Sequence, residues 1–148
     1  MAVYFLDTSA VVKRYLQETG TAWVRTLTSP ASGHFVYLAR IAEVEITATF
    51  ARRRGRPGFS TTQARTALGL FLQDFAQDYR IAEITVPLLR RAALLADAHA
   101  LRGYDSVQLA AALEVRSQIP SLIFISADDE LNDAAIAEGF PVDNPNSH

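Results

Sequence analysis

The chain has 148 residues, of which 49% are hydrophobic and 20% are charged, as expected for one globular domain. Its 16 acidic and 14 basic side chains give a formal net charge of -2, which excludes a strong overall field toward nucleic acid or anionic membranes. The absence of cysteine excludes disulfides, thiolate zinc sites and cysteine nucleophiles. A polyanionic partner therefore has to be bound by local positive charge, and a metal ion by oxygen or imidazole ligands.

The segment Met1 to Leu6 lacks the basic region and the long apolar region of a secretory signal. No apolar stretch reaches the roughly 18 residues of a membrane span. We therefore expect a cytoplasmic protein that does not enter a membrane. Residues 1–143 are expected to form its single domain, and residues 144–148 a frayed tail.

The first half of the chain alternates apolar runs with helical patterns. The run from Ala2 to Leu6 predicts a buried strand, and Thr8 or Ser9 is placed to cap the helix that follows. Three helices and one strand are then predicted in this order: a helix from Thr21 to Leu27, a strand from His34 to Leu38, a helix from about Arg40 to Arg54, and a helix beginning at Ser60 to Thr62.

The second half continues the alternation. Its predicted elements are a strand over Ile81–Val86, helices over Leu88–Ala100 and Asp105–Val115, a strand over Leu122–Ile125, a helix over Asp128–Ala137, and a short strand at Val142. The strands are continuously apolar, which is typical of strands covered on both faces. The pattern therefore predicts an α/β fold with a parallel sheet between helices.

Two acidic residues follow predicted strands. Asp7 comes directly after the strand that ends at Leu6, and Asp128 follows the strand that ends at Ile125 after a two-residue turn. In open parallel sheets, ligands bind beyond the carboxyl ends of the strands. If the two strands are neighbours, both carboxylates face the same crevice.

Two further acids lie on predicted helices. Glu45 falls at the margin of an apolar helix face, although periodicity alone does not choose between Glu45 and Glu43. A purely structural alternative pairs Glu45 with Arg40 or Arg52 on the helix surface. Asp105 opens an alanine-rich helix and is placed to look into the same crevice.

Helix capping offers a structural alternative for several of these positions. Asp105 with Gln108 has the spacing of a capping box, and Ser126 with Asp129 offers the same explanation for the last helix. Asp7 alone is also compatible with a simple turn. The functional interpretation depends on acids at both strand ends together with acids on two helices.

Carboxylates that converge without cations repel one another, which raises their pKa values. A divalent cation removes this penalty, and ligation by oxygen alone suits Mg²⁺ or Mn²⁺. The three histidines, His34, His99 and His148, are scattered without the spacing of zinc ligands. The sequence therefore favours Mg²⁺ or Mn²⁺ over zinc.

Four segments resemble, in order and spacing, the motifs of PIN-domain ribonucleases, particularly the VapC toxins. They are FLDTSAVVKRY around Asp7, ARIAEVEITATFARR around Glu45, LRGYDSVQLAAAL around Asp105, and FISADDELNDAA around Asp128. The likeness covers essentially the whole chain. Each motif is weakly specific by itself, and the four in order are specific.

The resemblance implies a three-layer α/β/α sandwich around a central parallel sheet of four or five strands. It also implies a cluster of acids that holds Mg²⁺ or Mn²⁺, and the matching positions are Asp7, Glu45, Asp105 and Asp128. Asp129 is the alternative to Asp128, and Ser9 and Ser126 resemble the hydroxyls that orient the site. Gln108 stands where many relatives carry histidine, so a role for that histidine is not expected here.

The activity implied by the resemblance is metal-dependent hydrolysis of RNA phosphodiester bonds by the toxin of a toxin–antitoxin pair. Its partners would be an RNA substrate, a cognate antitoxin protein and a second copy in a homodimer. The densest basic cluster, Arg52, Arg53, Arg54 and Arg56, is a candidate for binding RNA. Basic residues at the carboxyl end of a helix also interact favourably with the helix dipole, which is the structural alternative.

Two other functions compete with this prediction. A Mg²⁺-dependent aspartyl phosphatase would use Asp7 as a covalent nucleophile, but such enzymes usually carry a second aspartate where this chain has Ser9. A catalytically silent module that binds RNA or antitoxin would predict an incomplete acid set, whereas the four acids are all present. The ribonuclease is therefore the favoured hypothesis.

Overall fold

The computed structural model describes all 148 residues, which fold around a sheet of five parallel strands. The strands are β1 (Val3–Leu6), β2 (Phe35–Ala39), β3 (Arg80–Ala82), β4 (Ile123–Ile125) and β5 (Val142–Asp143). Their order across the sheet is β3-β2-β1-β4-β5. The parallel sheet predicted from the apolar runs is thereby confirmed.

Seven α-helices surround the sheet. They are α1 (Thr8–Val11), α2 (Thr21–Thr28), α3 (Ala42–Arg53), α4 (Thr61–Gln77), α5 (Val86–His99), α6 (Gly103–Gln118) and α7 (Asp129–Ala137). Short 3-10 segments lie at Val12–Arg14, Pro30–Ser32 and Pro145–Ser147. None of the helices combines the length and the apolar character needed to span a membrane.

The sheet separates two hydrophobic cores, because successive side chains of a strand point to opposite faces. Phe5 packs in the core formed with α5, α6 and α7, whereas Leu6 packs in the core formed with α1 to α4. Each core contains 17 buried residues, so both faces of the sheet are covered. This confirms the three-layer α/β/α sandwich.

The strand order reverses beside β1. The chain passes from β1 to β2 and β3 on one side, and it later crosses to β4 and β5 on the other. Such a switch point opens a crevice at the carboxyl ends of the strands. Leu6 of β1 pairs with Ile125 of β4, so the next residues, Asp7 and Ser126, lie side by side at the floor of this crevice.

Two local predictions are wrong at element boundaries. The cap of α1 is Asp7, whose carboxylate accepts from the Ala10 backbone N–H, and not Thr8 or Ser9. The strand predicted over Ile81–Val86 ends at Ala82, and α5 begins at Val86. The reason is that the Thr85 hydroxyl caps α5 and Pro87 occupies its first turn, which ends extended backbone early.

The carboxyl-terminal residues 144–148, for which the sequence predicts a frayed tail, form contacts with the body of the domain. Pro145 is buried, and its carbonyl approaches Gly20 so closely that a Cβ there would lie 2.3 Å from the oxygen. Gly20 also has a φ of 85°, which favours glycine. The ring of His148 stacks on Trp23 with 4.1 Å between the ring centroids. The division of the chain at residue 143 stays a prediction.

Candidate active site

A polar cleft of about 340 Å³ lies at the carboxyl edge of the sheet, and all four acids predicted from the sequence line it. Asp7 follows β1, Glu45 lies on α3, Asp105 lies in the first turn of α6, and Asp128 caps α7. The fold therefore brings together acids that are widely separated along the chain. This places the predicted set in one crevice.

Asp7 lies at the bottom of the cleft and is only 3% exposed. Ser9 Oγ donates to both of its carboxylate oxygens, at 2.7 and 2.9 Å, and Ser126 Oγ donates to Oδ2 at 2.9 Å. The Ala10 backbone N–H donates to Oδ1 at 3.1 Å. The two serines singled out by the motifs thus hold the Asp7 carboxylate in a fixed orientation.

The surroundings of Asp7 disfavour its charge. Burial away from water raises the pKa of Asp7 to about 7, and the hydrogen bonds from Ser9, Ser126 and Ala10 offset only part of this effect. The negative charge of Asp105 contributes the smallest part of this rise. The carboxylate therefore lacks a compensating cation within the protein.

Glu45 is held by neutral donors. Thr8 Oγ1 donates to Glu45 Oε1 at 2.9 Å, and Gln108 Nε2 donates to the same oxygen at 2.7 Å. Glu43 instead lies on the outer side of α3, 3.9 Å from Arg40. The structure thus places Glu45 in the cleft and Glu43 outside it, and it contradicts the surface pairing of Glu45 with an arginine.

Gln108 is a site residue that the sequence analysis missed. Its amide also donates to Thr8 Oγ1 at 3.1 Å, and its side chain is buried. The predicted capping box of Asp105 with Gln108 is wrong, because α6 begins at Gly103 and the Gln108 side chain turns into the cleft. The amide oxygen of Gln108 is buried without a hydrogen-bond partner.

Asp128 combines a place in the cleft with a structural task. Its Oδ1 accepts from the Leu131 backbone N–H at 3.1 Å, so Asp128 and not Ser126 caps α7. The Ser126 hydroxyl accepts from the Asp128 backbone N–H at 3.0 Å. Asp129, the alternative ligand, is exposed and accepts from Asn144 outside the cleft. The geometry favours Asp128.

Asp105 differs from the other three acids because no protein group donates a hydrogen bond to it. Partial burial, together with the nearby charges of Asp128 and Glu45, raises its pKa to about 6. The guanidinium of Arg102 acts in the opposite direction. Asp105 is therefore the acid of the cleft that is most available to a ligand.

Two cations line the cleft, and both face a fifth acid that the sequence analysis missed. Lys13 Nζ lies 3.5 Å from Glu18, and Arg53 lies 3.3 Å from Glu18. Lys13 is also only 5% exposed. The only sequence signal for these ion pairs is the lone lysine of the first motif. Because both cations pair with Glu18, they do not neutralise the four predicted acids.

One protein family matches most of the chain. The family model for the PIN domain matches residues 4–137. The chain belongs to the PIN-domain family. This PIN domain is 32% identical over 139 residues to two proteins of Mycobacterium tuberculosis, ribonuclease VapC45 and ribonuclease VapC49, with 94% of this chain and 93% of each relative covered.

A similar fold is found in the structure of VapBC2 from Rickettsia felis bound to a DNA fragment. The TM-score is 0.65 at 12% sequence identity, and the match covers 96% of this chain and 98% of that chain. At this identity the likeness concerns the fold alone. The resemblance to the PIN family that the four motifs indicate is confirmed by the family model and by the two relatives at 32% identity.

The donor set of this PIN domain suits a hard divalent cation in its chemistry. Only oxygen ligands are offered by the acids, no histidine lines the cleft, and two of the carboxylates have raised pKa values. As the side chains stand, however, no three of them converge closely enough to hold one ion. Asp7, Glu45 and Asp128 instead accept hydrogen bonds from protein donors, which an incoming ion would partly replace.

The predicted basic cluster of the PIN domain does not form one surface. Arg53 lines the cleft, and Arg53 and Arg56 line a groove beside it. Arg54 lies in a small depression between α3 and α4, and Arg52 lies within 3.5 Å of the Thr49 hydroxyl. Of the four arginines, only Arg53 therefore lines the cleft itself.

Proposed function

We propose that this PIN domain is a metal-dependent endoribonuclease that hydrolyses RNA phosphodiester bonds in the acidic cleft. The observation that carries the proposal is that four acids from separate elements line one cleft, without a cation paired to them. The family and the relatives named as ribonucleases support it.

The ligands we propose for Mg²⁺ or Mn²⁺ are Asp7, Asp105 and Asp128, with Glu45 as a further ligand or as a residue that orients water. When bound, the ion supplies Lewis acidity toward the phosphate and the attacking water. The raised pKa values of Asp7 and Asp105 are those expected of carboxylates that are neutralised only when a cation binds.

The residues of the chain position these acids. Ser9 and Ser126 fix the Asp7 carboxylate by donating hydrogen bonds. Thr8 and Gln108 both donate to Glu45 Oε1, which leaves Oε2 without a protein donor. Oε2 is therefore the atom of Glu45 that is free to accept a hydrogen bond from water or to take up its proton.

We further propose that the protein is a toxin that acts on cytoplasmic RNA and is inhibited by a cognate antitoxin protein. The support is the naming of its relatives as VapC and the similarity to the VapBC2 structure. Co-purification with the product of a small open reading frame beside the gene tests the partner. Recovery of an active nuclease from that co-expression would contradict inhibition.

We also propose that the protein is a homodimer. Large apolar side chains are exposed on α4 and α5, among them Leu70, Leu89 and Leu94, and such exposure favours association. Size-exclusion chromatography with light scattering tests this proposal. A mass of 16.2 kDa at micromolar concentration, that of one chain, would contradict it.

The nuclease activity is tested with purified protein, single-stranded and hairpin RNA, and Mg²⁺, Mn²⁺ or excess EDTA. Cleavage that needs the ion and yields internal cuts supports the proposal. Turnover of a phosphomonoester without RNA cleavage would favour the phosphatase, and RNA binding without products at any ion concentration would favour a silent module. The buried, fully hydrogen-bonded position of Asp7 already disfavours it as a covalent nucleophile.

A further inference from the structure

A second groove, of about 670 Å³, adjoins the acidic cleft and is larger than it. We call it the arginine groove, after the three arginines that line it, Arg25, Arg53 and Arg56. Its walls are the segment after α1, helix α2, the loop between α3 and α4, and α4 itself. Arg53 lines both cavities, so the groove and the cleft are adjacent at this side chain.

Charge is segregated between the two cavities. Five of the residues that line the cleft are acidic, whereas no acidic residue lines the arginine groove. The other polar residues of the groove are neutral hydrogen-bonding groups, namely Tyr15, Gln17, Thr62, Gln63 and Thr66. A ligand that spans both cavities therefore contacts the arginines of the groove and lies beside the acids of the cleft that need a cation.

The positive charge of the groove is only weakly compensated. Arg56 forms no salt bridge and no side-chain hydrogen bond, and Arg25 donates only to the backbone carbonyl of Arg14 at 3.1 Å. The one carboxylate near Arg53 is Glu18, which Lys13 also approaches. Arg25 and Arg56 are thus free to bind anions.

One aromatic side chain contributes an apolar surface to the groove. Phe59 is partly exposed in the groove, and its ring packs at 53° to Phe50 with 5.7 Å between the centroids. Grooves that bind single-stranded nucleic acid combine basic residues along the backbone with aromatic rings that stack on bases. The combination of arginines and Phe59 matches that pattern.

The composition of the groove argues against an amphipathic protein helix as its occupant. Helix-binding grooves are lined mainly by apolar residues that receive anchors at helical spacing. Here only five of the 14 lining residues are hydrophobic, and the charged ones are all positive. The lining is therefore better matched to a polyanion.

We propose that the arginine groove binds the single-stranded RNA segment next to the scissile phosphate. Arg25 and Arg56 contact phosphates of this segment, Arg53 lies at the junction with the cleft, and Phe59 stacks on a base. The inference rests on the proposed function, because it takes RNA as the substrate. It identifies the surface that binds the RNA. The four acids do not supply this binding, because their negative charges repel the phosphates of RNA.

The test is the binding of a fluorescein-labelled single-stranded RNA in EDTA, measured by anisotropy at several salt concentrations, where metal-dependent cleavage is suppressed. Arg25→Gln and Arg56→Gln are each expected to weaken binding by about threefold to tenfold and to reduce the salt slope by about 0.7, the value for one phosphate contact with a single strand. Arg91→Gln on α5 is the control with the same charge change, since Arg91 is exposed and lies outside the groove.

A second variant tests the aromatic surface. Phe59→Leu keeps an apolar side chain against Phe50 and is expected to weaken RNA binding by at least about fivefold, the lower end for the loss of base stacking. Its salt slope is expected to stay unchanged, because no charge is removed. A melting curve that matches the wild type confirms that the variant is folded.

The outcomes separate this inference from the proposed nuclease. Cleavage-competent protein whose RNA affinity is unchanged in the Arg25→Gln, Arg56→Gln double variant, or is equally weakened in Arg91→Gln, would overturn the groove and leave the nuclease standing. Weakened RNA binding in the groove variants, with no cleavage under any ion, would support the groove and overturn the nuclease. Loss of antitoxin binding with unchanged RNA affinity would make the groove a protein-docking site and overturn the inference.

Discussion

The acidic cleft and the arginine groove are adjacent, but their charged side chains affect the stability of the folded protein differently. In the cleft, burial raises the pKa of Asp7 to about 7 and that of Asp105 to about 6. In the groove, Arg25 and Arg56 are exposed to water. Charges that stay hydrated cost little, whereas buried like charges destabilise the fold until a ligand neutralises them.

Because of this difference, we expect substitutions in the cleft and in the groove to have different effects on stability and activity. Removing a charge from the cleft is expected to reduce activity and to increase the stability of the metal-free protein. Removing a charge from the groove is expected to reduce affinity for a polyanion without changing stability. Opposite changes of stability and activity are typical of functional sites that strain the fold.

The largest expected effect is that of Asp7→Asn on RNA cleavage. The substitution removes the anionic oxygen that we propose as a metal ligand, while an amide of the same shape still accepts from Ser9. Cleavage is expected to fall by about 10³-fold or more, at least the loss seen when one group that stabilises transition-state charge is removed. Initial rates on a labelled RNA in Mn²⁺ measure this.

Asp129→Asn is the matched control for that substitution, because Asp129 is an exposed aspartate outside the cleft. It is expected to cleave RNA at the wild-type rate. If Asp129→Asn abolished cleavage and Asp128→Asn did not, the assignment of the fourth acid would be reversed. Undiminished cleavage by Asp7→Asn would falsify the site itself.

The next effect concerns the pH dependence of stability in the metal-free protein. The folded-state pKa of Asp7 is raised from 3.8 to about 7, so its contribution to the free energy of unfolding is fully present below about pH 3.8. That contribution is lost as pH rises toward 7. One pKa unit corresponds to about 1.4 kcal/mol, so the loss is at most about 4 kcal/mol.

Thermal melts in EDTA between pH 4.5 and 8 measure this dependence. The melting temperature of the wild type is expected to fall over that range more than that of Asp7→Asn. Mn²⁺ at pH 8 is expected to raise the wild-type value, since a ligand that binds only the folded state stabilises it. A wild-type curve parallel to that of Asp7→Asn would contradict the burial of an uncompensated charge.

A smaller effect distinguishes the two glutamates of α3. Glu45→Gln is expected to reduce cleavage by about 10- to 100-fold, the range for groups that support metal ligands. Glu43→Gln removes an exposed contact with Arg40 and is expected to change the rate little. Loss of Mn²⁺ affinity in Glu43→Gln alone, measured by calorimetry, would reverse this choice.

The smallest effect in the cleft is expected for Gln108→Leu. The substitution removes one of the two donors to Glu45 Oε1, so cleavage and Mn²⁺ affinity are expected to fall by about tenfold. Stability is expected to change little, because the unpartnered Gln108 oxygen is removed together with the donor. Gln108→His, which restores a ring N–H donor, should recover part of the lost affinity.

A Gln108→Leu protein that loses stability but keeps its Mn²⁺ affinity would show that Gln108 serves the core and not Glu45. This outcome separates a positioning role from a packing role. The Gln108→Leu variant also tests the comparison of the acidic cleft with the arginine groove, because Gln108 lines the cleft without carrying a charge.

The layered fold could be predicted because its signals are local and repeated. Continuous apolar runs such as Ala2 to Leu6 and Leu122 to Ile125 indicate strands covered on both faces. The rule for ligand sites in parallel sheets then predicts where Asp7 and Asp128 lie. The resemblance to the family supplied the choice of Glu45, because Arg40-Ile41-Ala42 precede it as in the family's motif; helical periodicity alone did not provide this choice.

The remaining features of the cleft depend on partners that are distant along the chain. Gln108 fits a local capping rule with Asp105, yet its hydrogen bonds reach Thr8 and Glu45 on other elements. Likewise, the loop after α3 decides which arginines face the groove, and sequence spacing does not specify the direction of that loop. Short-range patterns therefore predict elements better than they predict side-chain partners.

The central position of β1 has a consequence for biosynthesis. Asp7 is synthesised well before its sheet neighbour β4 and the capping Asp128. The sheet cannot close around Asp7 before that strand inserts beside it. The proposed site therefore cannot assemble on a nascent chain before β4 has been synthesised.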